Sequence, residues 1–120
     1  TTFRLLGDRI MAISDAMRAT GLPDGESELG GQTVYVRDGK ACLKDGTIAG
    51  STTNLHQELK NLVSWGVPFE QAVKSVSYLP ARSVRADDQV GSIATGKLAD
   101  IVLLDSELNI VKVMQDGKFC

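Results

Sequence analysis

Residues 9–15, RIMAISD, restrict the fold more than any other stretch of the chain. A turn signal, Gly7-Asp8, precedes them, and an apolar run from Ile10 to Ile13 follows. Side chains alternate across an extended backbone, so a strand that is apolar on both faces needs cover on both faces, as in a parallel sheet. The run breaks at Ser14-Asp15, which sets a carboxylate at the carboxyl end of the expected strand. Ligands of α/β folds bind at the carboxyl ends of strands, so Asp15 is a candidate catalytic group. The competing reading is that Asp15 caps the turn that follows, since Ser-Asp is common turn chemistry.

The rest of the chain changes period several times. Residues 19–31, ATGLPDGESELGG, hold four glycines and a proline and read as loop. Their acidic stretch, Asp24, Glu26 and Glu28, lacks the ligand spacing of an EF-hand and reads as solvated. Val34 and Val36 alternate with Thr33, Tyr35 and Arg37, and Asp38-Gly39 is a hairpin signal, so residues 33–44 predict a β-hairpin. DGTIAGST, residues 45–52, is a turn running into a helix start. Free backbone N–H groups there suit an anion or sugar hydroxyls, or serve as plain capping. Leu55, Leu59, Leu62 and Val63 share one helical face, which predicts a helix over 52–66 with capping hydroxyls at 51–53 and a stop at Gly66 and Pro68. His56 falls off that stripe and reads as solvent-facing. Residues 68–86 predict further helix with Phe69, Ala72, Val73 and Val76 on one face, an interruption at Pro80, and a short helix beginning there. After Val90 the period returns to two: ADIVLLD is a strand, and NIVKVMQDGKFC alternates up to a turn at Asp116-Gly117.

Several functions are disfavoured by composition. The 120 residues, 42% hydrophobic and 23% charged, suit one soluble domain with a modest core. A net charge of −2, with no basic patch interleaved with aromatics, argues against nucleic acid. No apolar run approaches the roughly 20 residues of a membrane span, and the expected location is the cytoplasm. Cys42 and Cys120 share no metal spacing and read as free thiols, with one disulfide as the alternative. His56 is the lone histidine, so no His/Asp/Glu metal cluster is expected in this chain. GSIATGKL, residues 91–98, begins like a phosphate-binding loop. It ends in Leu98 where Ser or Thr should stand, and it leads into a strand, so it reads as a glycine-bounded turn. The start at Thr1 and the lone histidine together suggest entry into the middle of a larger protein.

Three segments, ISDAMRATGLPDGESELGG, DGTIAGST and VGSIATGKLADIVLLD, occur in an order and spacing that resemble the C-terminal third of the N-acetylglucosamine-6-phosphate deacetylase family, within the amidohydrolase superfamily. The last segment is shared across many amidohydrolases, and the first two are narrower. The resemblance implies an α/β fold with a mixed α+β portion: the C-terminal part of a (β/α)8 barrel in residues 1–89, with RIMAISD as its last strand, and strands of a small β-sandwich domain in residues 90–120. It implies metal-dependent hydrolysis of the N-acetyl group of N-acetylglucosamine 6-phosphate, giving glucosamine 6-phosphate and acetate. Asp15 would take a proton from water and return it to the leaving amine. Ile48, Ala49, Gly50 and Ser51 would contact the sugar largely through backbone, with Gly50 allowing close approach. The divalent ion (zinc, iron, manganese or similar) would be held mainly by residues outside this chain, as would the phosphate. A homodimer, the remainder of the polypeptide and a sugar phosphate are the implied partners, and this chain alone is expected to be inactive. For the reading to hold, Asp15 must border a groove with Gly50 and not face bulk solvent. Another amidohydrolase acting on a related amide, or a non-catalytic α+β binding module, are the competing readings.

Overall fold

A computed structural model describes residues 2–120, which form a mixed α/β chain in two compact units. The first unit is Ala12–Asn61. Its sheet has the order β1 (Gly25–Leu29), β2 (Gln32–Arg37), β3 (Lys40–Cys42), β4 (Ile48–Gly50), with antiparallel neighbours throughout. The hairpin expected at 33–44 is β2–β3, with Tyr35 opposite Cys42 and Val36 opposite Ala41. Asp38 and Gly39 both have positive φ, 50° and 69°, as a two-residue turn that matches strand twist requires. Val34 and Val36 point into the core, where Val34 is 0% exposed and Met17, Ala19 and Ala41 complete the cluster, flanked by Leu43 and Ala49.

Three expectations for this unit need correction. The acidic loop is a strand: residues 25–29 form β1, paired along its length with β2. Polar residues on both faces hid it, and Glu26 and Glu28 are the charges that keep an exposed edge strand solvated. Asp24 is also not merely solvated, because its carboxylate accepts from the N–H of Asp38 at 2.6 Å and of Gly39 at 3.4 Å, tying down the hairpin turn. Residues 48–50, expected as turn, are β4, with Gly50 opposite Ala41 and a register shift beside it. RIMAISD forms no ladder: its backbone is extended at Ile10 and left-handed at Asp15. Arg9 closes a 3₁₀ turn (Gly7–Arg9), Ile13 is 76% exposed, and among the described residues the nearest bridge, one residue past the segment, joins Ala16 to Ser51. A ladder needs a neighbouring strand along its whole length, and the described residues provide one only at this end. That bridge is parallel and lies just beyond the segment, at Ala16.

In α2 (Leu55–Ser64), Leu59 and Leu62 are buried and Leu55, at the open first turn, is exposed. Its N-terminus is capped by Asn54, whose Oδ1 accepts from Gln57 N–H at 2.9 Å, and not by the hydroxyls at 51–53. Gly66, at φ 82°, ends the helix, and the Val67 N–H closes it on the Leu62 carbonyl at 3.0 Å.

The second unit comprises Leu62–Cys120 with the segment up to Met11. It contains α1 (Thr2–Leu6), α3 (Phe69–Val76), α4 (Tyr78–Ser83) and an antiparallel sheet β5 (Ile101–Leu104), β6 (Ile110–Gln115), β7 (Lys118–Phe119). Ala72 is fully buried on the predicted face of α3, and Lys74 pairs with Asp8 at 3.3 Å. Pro80 does not interrupt a helix. The break lies at Ser77 (φ −132°, ψ −76°), and Pro80 sits inside the first turn of α4, where backbone N–H groups lack intrahelical acceptors and a proline loses nothing. The expected C-terminal strands are present, and no residue of β5–β7 is fully buried. No helix among the described residues is long and apolar enough to cross a membrane.

Candidate functional site

The polar corner of the first unit lies where the 10–15 segment meets the end of β4. Ser51 N–H donates to the Asp15 carbonyl at 3.1 Å, and the Ser51 carbonyl accepts from Met17 N–H at 3.0 Å and from Thr20 Oγ1 at 3.2 Å. Asp15 itself has φ 48°, in the left-handed region that aspartate enters more readily than most residues. This bend turns the chain from the extended segment into the Met17–Thr20 turn, closed by Thr20 N–H on the Met17 carbonyl at 2.9 Å. Backbone bonding thus fixes Asp15 beside Gly50 and Ser51. Its side chain is exposed, and among the described residues its carboxylate has no hydrogen-bond or ion-pair partner. Of the stated requirement, the backbone supplies only the adjacency of Asp15 to Gly50, and the rest is not met by this chain. Within this chain, however, the carboxylate faces solvent and no walled groove surrounds it.

The four predicted contact residues behave differently. The Ile48 side chain is exposed, and Ala49 packs against the core, so Ala49 offers a ligand only its backbone. A Cβ on Gly50 would stand 3.5 Å from Met17 Cβ, 3.6 Å from its Sδ and 3.8 Å from the Asp15 carbonyl, all ordinary contacts, so none of the described residues demands glycine there. Ser51 is half-buried, and its Oγ accepts from Thr53 N–H at 3.0 Å and lies 2.7 Å from Thr53 Oγ1. Thr53 Oγ1 in turn donates to Glu58 Oε1 in the first turn of α2. Thr52 Oγ1 donates to the Gly39 carbonyl and anchors the same loop to the hairpin turn. The sequence offered Thr53 only as a capping hydroxyl and did not single out Glu58, because a hydroxyl five residues before a glutamate follows no recognised motif.

Other candidates resolve as structural. In the 91–98 loop Lys97 Nζ donates to the Asp87 carbonyl and to Ser92 Oγ at 2.7 Å, which ties the lysine to the protein. His56 lies on α2 as expected but is half-buried and engaged, not solvent-facing. Cys42 and Cys120 are free thiols. Among the described residues no three His, Cys, Asp or Glu side chains come together as a metal site, so this chain's own residues do not fit a resident divalent ion.

Residues 5–120 match the Amidohydrolase family. The chain belongs to that family. This amidohydrolase chain is 41% identical over 116 residues to the N-acetylglucosamine-6-phosphate deacetylase of Vibrio furnissii, an alignment covering 96% of this chain and 29% of that protein. It is 37% identical over 112 residues to the N-acetylgalactosamine-6-phosphate deacetylase of Escherichia coli O157:H7, covering 92% of this chain and 30% of that protein. Among solved structures, the N-acetylglucosamine-6-phosphate deacetylase from Pasteurella multocida matches with a TM-score of 0.93 at 29% identity, over 98% of this chain and 31% of that one. The chain thus spans roughly three-tenths of the length of these relatives.

Proposed function

We propose that this chain forms part of an amidohydrolase that removes the N-acetyl group of N-acetylglucosamine 6-phosphate, releasing glucosamine 6-phosphate and acetate. The observation that carries the reading is the bonding of Asp15 to Ser51, which sets a carboxylate with no partner among the described residues beside an edge formed by Gly50 and Ser51. The similarity to deacetylases of two amino-sugar phosphates supports the substrate class. Amide hydrolysis needs one group that accepts a proton from the attacking water and then gives it to the leaving nitrogen. The Asp15 carboxylate is assigned both steps. A short side chain on a hydrogen-bonded backbone limits how far that oxygen can wander between them. Ile48, Ala49, Gly50 and Ser51 are assigned to the sugar, Ile48 through its exposed side chain and Ala49 and Gly50 through backbone.

The wider assignment follows the same resemblance: residues 1–89 to a barrel, residues 90–120 to a small β-sandwich, and a homodimer in the cytoplasm. The divalent ion and the phosphate are assigned to residues outside this chain, which alone is expected to be inactive. Acetate release by the complete protein from N-acetylglucosamine 6-phosphate, its unphosphorylated form and its galacto epimer tests the reading. Preference for the phosphorylated gluco sugar is expected. The 37% identical relative makes the galacto sugar the second reading, and preference for it transfers the assignment to that epimer. Equal turnover of the unphosphorylated sugar removes phosphate from the specificity, and no acetate from any of them ends the proposal.

A further inference from the structure

The proton order of one hydrogen-bonded chain bears on how the 48–51 edge reads its ligand. Thr53 has one hydroxyl proton, and it is donated to Oε1 of the Glu58 side chain. The short Ser51–Thr53 contact at 2.7 Å therefore needs its proton from Ser51, with Ser51 Oγ donating and Thr53 Oγ1 accepting. The same Ser51 oxygen accepts from Thr53 N–H at 3.0 Å. A hydroxyl oxygen has one proton and two lone pairs, so Ser51 has spent its proton and one lone pair within the protein. One lone pair remains on a half-buried residue whose backbone N–H is bonded to the Asp15 carbonyl.

We propose that Thr53 and Glu58 act as positioning residues that fix the Ser51 hydroxyl as an acceptor, so that this edge selects a hydrogen-bond donor, a hydroxyl or amide N–H, on the bound amino sugar. The inference rests on the deacetylase reading above. Without the relay Ser51 could rotate and donate, and the edge would accept either polarity. Charge-assisted hydrogen bonds are the stronger kind, and the carboxylate at the end of the chain gives the order its direction. Hydroxyl selection by a polar site is effective because a substrate without the matching group leaves the protein atom unpaired.

The test uses the complete, metal-loaded protein. Thr53→Val and Glu58→Ala should raise KM for the N-acetylhexosamine 6-phosphate about 5- to 10-fold while leaving kcat within about twofold, the scale of one hydrogen bond. Thr53→Ser and Glu58→Gln, whose hydroxyl and carboxamide oxygen keep the relay, should recover most of the loss, which a general packing defect would not allow. A panel of monodeoxyfluoro sugar phosphates adds the polarity readout, since fluorine cannot donate. The unaltered protein should lose about 10-fold at one ring position, and Thr53→Val and Ser51→Ala should show little further loss at that position. Neutron diffraction of the deuterated protein reads the order independently of activity, with the Ser51 hydroxyl deuterium expected to point at Thr53 Oγ1. A deuterium pointing elsewhere, or an active protein whose KM is unmoved in Thr53→Val and Glu58→Ala, overturns the inference alone. Failure of the unaltered protein to release acetate from any of the sugars overturns the deacetylase reading and this inference with it.

Discussion

A Cβ placed on Gly91 would stand 2.8 Å from Ala81 Cβ, 3.1 Å from Tyr78 Cα and 3.2 Å from the Ser77 carbonyl; one placed on Gly50 would meet nothing closer than 3.5 Å. Gly91 has φ 86°, in the left-handed region, and Gly50 does not. Both glycines stand in segments whose composition suggests ligand contact, GSIATGKL and DGTIAGST. The 91–98 loop is explained from within, because its glycine lets it lie against α4 and its lysine is bound to Asp87 and Ser92. The 48–51 edge is not. Its glycine meets no internal demand, and the Asp15 beside it carries a carboxylate with no partner among the described residues. A glycine that packing requires says little about ligands, whereas one that packing leaves unexplained directs attention to what approaches from outside.

Gly91→Ala should give the largest stability effect. Left-handed backbone with a Cβ, together with overlap against Ala81 and the backbone at Tyr78, should cost about 2–4 kcal/mol, read as a fall in the urea midpoint of the complete protein. A loss below about 0.5 kcal/mol would break the comparison. Lys97→Met, which removes the charged donor to the Asp87 carbonyl and Ser92 Oγ, should cost about 1–2 kcal/mol by the same measurement and leave KM unchanged. A raised KM for the phosphorylated sugar alone would return that loop to the ligand site. Gly50→Ala is expected to change stability by less than about 0.5 kcal/mol, yet to raise KM, because its methyl group thickens the edge on which a sugar would rest. An unchanged KM would remove Gly50 from the site.

The smallest effect concerns acid. Hydrogen bonds from the backbone N–H and then the side chain of Thr47 hold the Asp45 carboxyl below its ordinary pKa. A folded-state pKa below the unfolded value means stability that is present above the unfolded pKa and lost as pH falls through the folded one. Asp45→Asn should therefore lower the urea midpoint slightly at neutral pH and narrow toward no difference in strong acid. An equal difference at both ends would contradict the linkage.

Legibility in the sequence followed the kind of signal each region carries. The β2–β3 hairpin was readable because Val34 and Val36 alternate against polar neighbours and Asp38-Gly39 fits the turn, so local pattern and packing agree. β1 was not, since its alternation is polar on both faces and only register against β2 reveals it. The strand expected at RIMAISD was not found as a ladder, because pairing depends on which segments lie alongside, and among the described residues the nearest bridge is that of Ala16 with Ser51. At the candidate site, Asp15 is proposed from its place at the end of an apolar run. The Thr53–Glu58 relay was hidden, because it depends on the chain bending out of β4 and starting α2 at Asn54, a proximity that no fixed spacing encodes.

The central claim is that the Asp15 carboxylate moves the proton in amide hydrolysis. Asp15→Asn tests it most directly, because asparagine matches aspartate in size and also tolerates the left-handed backbone at this position. A carboxamide cannot accept and return a proton at neutral pH. In the complete protein, kcat for the N-acetylhexosamine 6-phosphate should fall about 10²- to 10⁴-fold while calorimetric binding of that sugar changes by less than about threefold. Turnover within a few-fold of the unaltered protein would contradict the account.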